Sequence, residues 1–208
     1  MMNKLLPTYL ITLLSVFLLS CSSPDPFIES KFKSAQSSNT QSCDTGKVRL
    51  TTNFVNARMD KCQVIAKNEF LITLKPESTP VNSSPWYAFK IEAGQATAIK
   101  ITMKVKGDKH RYLPKVSTDG EHWQLQGFQL NGERLVMNIA VPEHAIYIAG
   151  QEVIDNEYYE NWAKKLPKSK NISYDILGKS TEGRPLYKIE SKAENNESKE
   201  WLVILGRM

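Results

Sequence analysis

The chain has 208 residues, 41% of them hydrophobic and 24% charged, with a formal net charge of +5 at pH 7. The 27 lysine and arginine residues are scattered and form no dense run, and no nucleic-acid-binding motif is present. These features exclude nucleic acid as a predicted partner, and the positive excess is interpreted as a solvated face.

The first twenty residues are typical of a targeting segment. Lys4 precedes a mostly apolar run that is too short to span a bilayer and ends in Leu18-Leu19-Ser20-Cys21. This ending resembles the bacterial lipobox, in which signal peptidase cuts before the cysteine and the thiol receives a diacylglycerol. We therefore predict a signal peptide over residues 1–20, lipidation of Cys21 and the membrane as a partner. The alternative is an ordinary signal peptide with an unrelated cysteine.

By resemblance to the usual sorting rule, Ser22 after the cysteine, with no aspartate there, favours the outer membrane, facing the periplasm. Serine, asparagine, glutamine and proline dominate the next residues, so residues 21–46 are predicted to be a flexible tether. In an oxidising compartment, the two remaining cysteines, Cys43 and Cys62, predict a disulfide. Closing a loop of about twenty residues would contribute roughly 3 kcal/mol. The alternative is two unpaired thiols with Cys62 buried.

Residues 47–148 have the pattern of an antiparallel β-sandwich. In Ala98–Lys106, apolar residues alternate with lysine and threonine, which indicates a strand with one face in a core and the other in water. Further strands are predicted at Val64–Leu74, Trp86–Ile91, Tyr112–Val116 and Leu135–Val141. Gly-containing turns separate many of these segments, and about one hundred residues are enough for one modest core.

Residues 149–208 have a different pattern. Aromatic and aliphatic residues at helical spacing predict a helix over Asp155–Leu166, and three strands follow at Ile172–Leu177, Pro185–Ser191 and Trp201–Leu205. The last strand is apolar almost throughout, which is typical of the centre of an α/β sheet with helices on both faces. We predict the incomplete start of an α/β domain.

No complete catalytic or metal site can be assembled from these residues. His110, His122 and His144 lack metal-ligand spacing, and two cysteines without nearby histidines are not a zinc set. Residues 178–183 have the glycine spacing of a phosphate loop without its lysine, and are interpreted as a turn. The aromatic residues at positions 86, 87 and 89 suggest either a sugar platform or core packing, and we favour the core.

Four stretches, in order, resemble segments of one enzyme family. They read PESTPVNSSPWYAFK (76–90), RYLPKVSTDGEHW (111–123), LGKSTEGRPL (177–186) and WLVILGRM (201–208). These are similar to the amino-terminal β-domain and the opening of the catalytic domain in cytosolic-carboxypeptidase-like zinc carboxypeptidases. The resemblance implies that the next residues of a full-length relative would be His-Pro-x-Glu, the first two zinc ligands.

The resemblance also implies hydrolysis of carboxy-terminal peptide bonds by a full-length relative, with zinc as cofactor. No zinc ligand or catalytic glutamate can be assigned to this chain, so we expect no cofactor, catalytic residue or metal site within it. It is interpreted as a non-catalytic amino-terminal part that is inactive alone, with a downstream catalytic polypeptide as a possible partner. The alternative is a self-sufficient β-sandwich binding lipoprotein of the cell envelope.

Overall fold

The computed structural model describes residues 40–166 and 171–191. The architecture is mainly β, with thirteen strands and one short helix in this part of the chain. The predicted signal peptide, Cys21 and the predicted apolar strand at 201–205 lie outside the described residues.

Eleven strands form two sheets. The six-stranded sheet has the order β1-β2-β5-β11-β7-β8, formed by Ser42–Asp44, Val48–Thr51, Ala88–Ala93, Ile146–Ala149, Lys115–Ser117 and Gln124–Leu125. The five-stranded sheet has the order β3-β4-β6-β10-β9, formed by Lys61–Ala66, Glu69–Leu74, Thr97–Val105, Arg134–Val141 and Gln129–Asn131. Both sheets contribute side chains to one buried apolar cluster, because alternate residues of their central strands share a face.

The strand predictions are confirmed where the alternation is strongest. The strand β6 covers most of Ala98–Lys106, and β10 contains Leu135–Val141. The segment Val64–Leu74, predicted as one strand, belongs to two strands that pair as a hairpin across Lys67 and Asn68. Only the end of Tyr112–Val116 is a strand, because β7 begins at Lys115.

One pair of strands differs from the predicted antiparallel arrangement. The strands β4 and β6 run parallel, with Ile72 opposite Met103. Parallel neighbours need a crossover connection, and here the chain between them passes through β5, which lies in the other sheet. The strand β1 is a second difference, because it lies in the segment 21–46 predicted as a tether and pairs with β2.

The single helix, α1, spans Asn156–Lys165 and confirms the prediction for Asp155–Leu166. The Asp155 side chain accepts a hydrogen bond from the Tyr158 amide at 2.8 Å, which satisfies one of the free N–H groups of the first turn. The basic pair Lys164 and Lys165 lies in the last turn, where cations interact favourably with the helix dipole. No helix in the described ranges is long and apolar enough to cross a membrane.

The last two described strands, β12 (Ile172–Lys179) and β13 (Pro185–Ser191), form a separate antiparallel hairpin. Tyr174 and Tyr187 stack within it, with ring centroids 5.3 Å apart. The Tyr187 hydroxyl donates to Glu160 Oε2 at 3.2 Å, which connects the hairpin to α1. The prediction of strands at Ile172–Leu177 and Pro185–Ser191 is therefore confirmed.

Candidate functional site

The two cysteines among the described residues lie side by side. Cys43 is on β1 and Cys62 on β3, their Cα atoms are 5.7 Å apart, and the structure joins them in a disulfide. These strands are at the edges of different sheets, so the disulfide links the two sheets beside the shared core.

The three histidines are dispersed. His110 is half-buried and its Nε2 lies 3.1 Å from the Met103 carbonyl oxygen, while burial lowers its pKa. His122 is in the β7–β8 connection, and His144 is in the β10–β11 connection. Across residues 40–166 and 171–191, no three histidine, cysteine or acidic side chains are grouped so that they could hold a metal ion.

The aromatic residues at positions 86, 87 and 89 pack in the interior. Tyr87 and Phe89 are fully buried in the core, with ring centroids 6.3 Å apart. Trp86 is partly buried against a second apolar cluster on the outer side of the six-stranded sheet, beside Phe54 and Tyr147. The preference for core packing over a sugar platform is therefore confirmed for Tyr87 and Phe89.

The glycine-containing segment 178–183 is the turn of the β12–β13 hairpin. The Ser180 amide donates to the Arg184 carbonyl at 2.8 Å, and the Gly183 amide donates to the Ser180 carbonyl at 2.9 Å. Gly183 has φ +75°, a left-handed conformation that glycine adopts without strain. The segment closes a hairpin, as the missing lysine indicated.

A groove forms where the β7–β8 connection faces helix α1. On the β-sheet side, Asp119 organises the loop: its Oδ1 accepts hydrogen bonds from the Glu121 and His122 amides, both at 2.8 Å. Its Oδ2 lies 2.7 Å from His122 Nδ1, and the Ser117 hydroxyl donates to Oδ1 at 3.0 Å. These hydrogen bonds hold the pKa of Asp119 well below its usual range, led by the one from the His122 amide.

The helix side of the groove is aromatic and charged. Tyr158 and Trp162 are four residues apart on one face of α1 and are 43% and 46% exposed. Glu157 lies near the amino-terminal end and Lys165 near the carboxy-terminal end of the same groove, which has a volume of about 610 Å³. Such a surface combines exposed aromatic side chains with acidic and basic side chains.

Helical spacing predicts α1, and the stretch 111–123, with Asp119 and His122, carries part of the family resemblance. Neither pattern predicts a groove between the two segments. Their contact depends on the path of the chain after β11, where Val153 is buried in the second apolar cluster. No short sequence pattern encodes that path.

The fold is shared with solved enzymes. A proposed carboxypeptidase A from Shewanella denitrificans OS-217 matches with a TM-score of 0.61 and 16% identity over 73% of this chain and 42% of its own. A metallo-carboxypeptidase from Burkholderia cenocepacia matches with a TM-score of 0.60 and 16% identity over 74% of this chain and 42% of its own. The fold is carboxypeptidase-like.

This similarity is one of structure. No family model and no curated protein matches the chain. A proposed carboxypeptidase from Burkholderia mallei gives a TM-score of 0.58 at 17% identity. The chain spans about two fifths of the length of these structures, with 40–42% covered.

Proposed function

We propose that this chain forms the non-catalytic, amino-terminal part of a lipid-anchored metallo-carboxypeptidase. The observation that carries the proposal is the match in fold to metallo-carboxypeptidases over about two fifths of their length. We also propose that the enzyme is of the cytosolic-carboxypeptidase-like group. In this proposal the chain precedes the zinc ligands.

The proposal assigns a role to each segment. Residues 1–20 direct export, Cys21 carries the lipid, and the chain up to residue 46 connects the anchor to the fold. Residues 47–148 form a β-sandwich, for which the shared core of the two sheets is the support. Residues 149–208 begin an α/β catalytic domain, and the protein faces the periplasm from the outer membrane.

In this proposal the zinc ligands are residues of a downstream catalytic polypeptide. When bound there, zinc would supply Lewis-acid chemistry for peptide-bond hydrolysis. The residues of this chain would contribute the β-sandwich, the groove beside α1 and the hairpin at the start of the catalytic domain.

A comparison of metal content and activity tests the proposal. The 208-residue chain should purify without stoichiometric zinc and should release no carboxy-terminal residue from peptides. Protein isolated from native membranes with an antibody against residues 47–148 should carry chelator-sensitive carboxypeptidase activity. Tightly held zinc in the 208-residue chain, or a native isolate without that activity, would contradict the proposal.

A second function is favoured by the completeness of the core. The two sheets bury their central side chains fully within the described residues; Phe70, Ile101, Met137 and Ile148 are all 0% exposed. A self-sufficient binding lipoprotein of the cell envelope would need such a core and the groove beside α1. In that case the native isolate would contain the 208-residue chain without peptidase activity.

A further inference from the structure

The outer faces of the two sheets differ in charge and in cover. On the six-stranded sheet, Phe54 and Val153 cover the outer side, and even the ion pair between Lys90 and Glu92 is buried there. On the five-stranded sheet, the outward residues of the central strands include exposed lysine and arginine residues. Charged side chains on this second face are therefore open to a partner.

Cross-strand pairing aligns these cations in a row. Lys61 on β3 pairs with Thr73 on β4, Thr73 with Lys104 on β6, and Lys104 with Arg134 on β10. Neighbouring strands lie about 4.8 Å apart, so the row from Lys61 to Arg134 spans roughly 14 Å. We call Lys61, Lys104 and Arg134 the basic row.

No carboxylate of the described residues neutralises the charges of the basic row. All three side chains are exposed, and no ion pair joins them to a carboxylate in the part of the chain that the structure describes. Lys104 and Arg134 are directly opposite each other, an arrangement of like charges that destabilises a sheet. An external anion would relieve this repulsion.

The surrounding surface extends the positive field. Lys106 continues the outward alternation of β6, and Lys100 lies on the same face in an ion pair with Glu69 at 3.2 Å. The face therefore presents five cations. Two acidic residues are nearby: Glu69 on the face itself and Glu133 in the adjoining turn. A row of cations spread over several strands fits an extended array of anions better than a single small ion.

We propose that the outer face of the five-stranded sheet docks on a membrane surface that contains anionic phospholipid. The basic row complements the headgroup charge, and each lysine or arginine near an anionic leaflet strengthens binding roughly fivefold. The carboxypeptidase-like assignment is not needed for this inference. The sheet geometry alone supports the face, and a lipid on Cys21 would bring it within reach of the bilayer.

Lysine labelling of the full chain on vesicles tests the proposal. The chain is reconstituted, in the form that cells produce, into phosphatidylglycerol-containing or pure phosphatidylcholine vesicles, and an amine-reactive reagent is quantified at each lysine. Lys61, Lys104 and Lys106 should be protected only on the anionic vesicles. Lys47 and Lys179, which are exposed elsewhere, should label equally on both.

Two further measurements make the result specific. About 0.5 M salt should remove the protection without any substitution, because the screening length then falls to a few ångströms. The variant Lys61→Glu/Lys104→Glu/Arg134→Glu should lose the protection at Lys106. The matched variant Lys47→Glu/Lys165→Glu/Lys179→Glu has the same net charge and should retain it.

Several outcomes would overturn the proposal. Equal labelling on the two vesicle types would show that this face does not contact the lipid. Equal loss of protection in both triple variants would reduce the effect to net charge. Equal protection of the basic row by duplex DNA would assign the face to polyanions in general and not to a membrane.

Discussion

At the scale of single residues, two tyrosines differ in burial and in the hydrogen bonding of their hydroxyl groups. Tyr87 is 1% exposed and its hydroxyl has no hydrogen-bond partner among the described residues, while burial raises its pKa. Tyr112 is partly buried, and its hydroxyl lies 2.5 Å from the Ser84 hydroxyl. A buried polar atom without a partner loses its hydration and gains nothing in return.

The first prediction concerns the Tyr87 hydroxyl. Tyr87→Phe should leave the free energy of unfolding unchanged or raise it by about 1 kcal/mol, because it removes an unsatisfied buried group. Tyr112→Phe, the matched control, should lower it by about 1 kcal/mol, because it leaves Ser84 without its partner. Urea unfolding measures both variants, and a clear loss of stability in Tyr87→Phe would show that this hydroxyl is bonded.

The second prediction is the disulfide between Cys43 and Cys62. Non-reducing peptide mapping of exported protein should recover the two peptides as one linked species. Reduction should lower the free energy of unfolding by roughly 3 kcal/mol, because a loop with a sequence separation of 19 residues is released in the unfolded chain. Free alkylation of both thiols in periplasmic protein would contradict the pairing.

At the scale of elements, the β12–β13 hairpin differs from the two sheets. Its two strands pair only with each other among the described residues, and Ile176 and Leu177 are 61% and 72% exposed. A two-stranded hairpin is only marginally stable by itself. The Tyr187 hydroxyl links the hairpin to α1 by a hydrogen bond to Glu160.

The third prediction follows from this difference. Backbone amides of β12 and β13 should exchange with solvent much faster than those of β6 and β10, because the central strands open only when the core unfolds. Tyr187→Phe should speed exchange in the hairpin and leave the sheets unchanged. Hydrogen exchange with mass spectrometry measures both regions, and equal protection in a monomer would favour the self-sufficient binding lipoprotein.

At the scale of the whole molecule, the fold places different surfaces on different sides. The core lies between the two sheets, the groove beside α1 adjoins the six-stranded sheet, and the basic row lies on the outer face of the five-stranded sheet. A protein held near a membrane by its amino terminus could therefore contact lipid with one face and a partner with another.

The fourth prediction concerns the anchor that would hold the molecule there. Cys21→Ala should abolish labelling with radioactive palmitate and release the chain from the membrane fraction, because the thiol that accepts the lipid is gone. Cys62→Ala is the matched control and should be labelled normally. Equal labelling of Cys21→Ala and the unaltered chain would show that residues 18–21 are not a lipobox.

Local patterns in the sequence were sufficient to predict the most regular elements. Alternation predicts β6 and β10, and aromatic and aliphatic residues at helical spacing predict α1 within one residue at each end. These signals work because periodicity and capping depend on residues a few positions apart. The resemblance of four short stretches to carboxypeptidases agrees with the carboxypeptidase-like fold.

Only the tertiary structure decided how these elements combine. The sequence patterns did not assign the strands to two sheets or predict the parallel β4–β6 pair, because partners such as Ile72 and Met103 are distant in the chain. They also did not separate β3 from β4. Along the chain, the lysine and arginine residues are scattered. Lys61, Lys104 and Arg134 form one row only when cross-strand register brings them together, and register is set by burial of the opposite faces in the core.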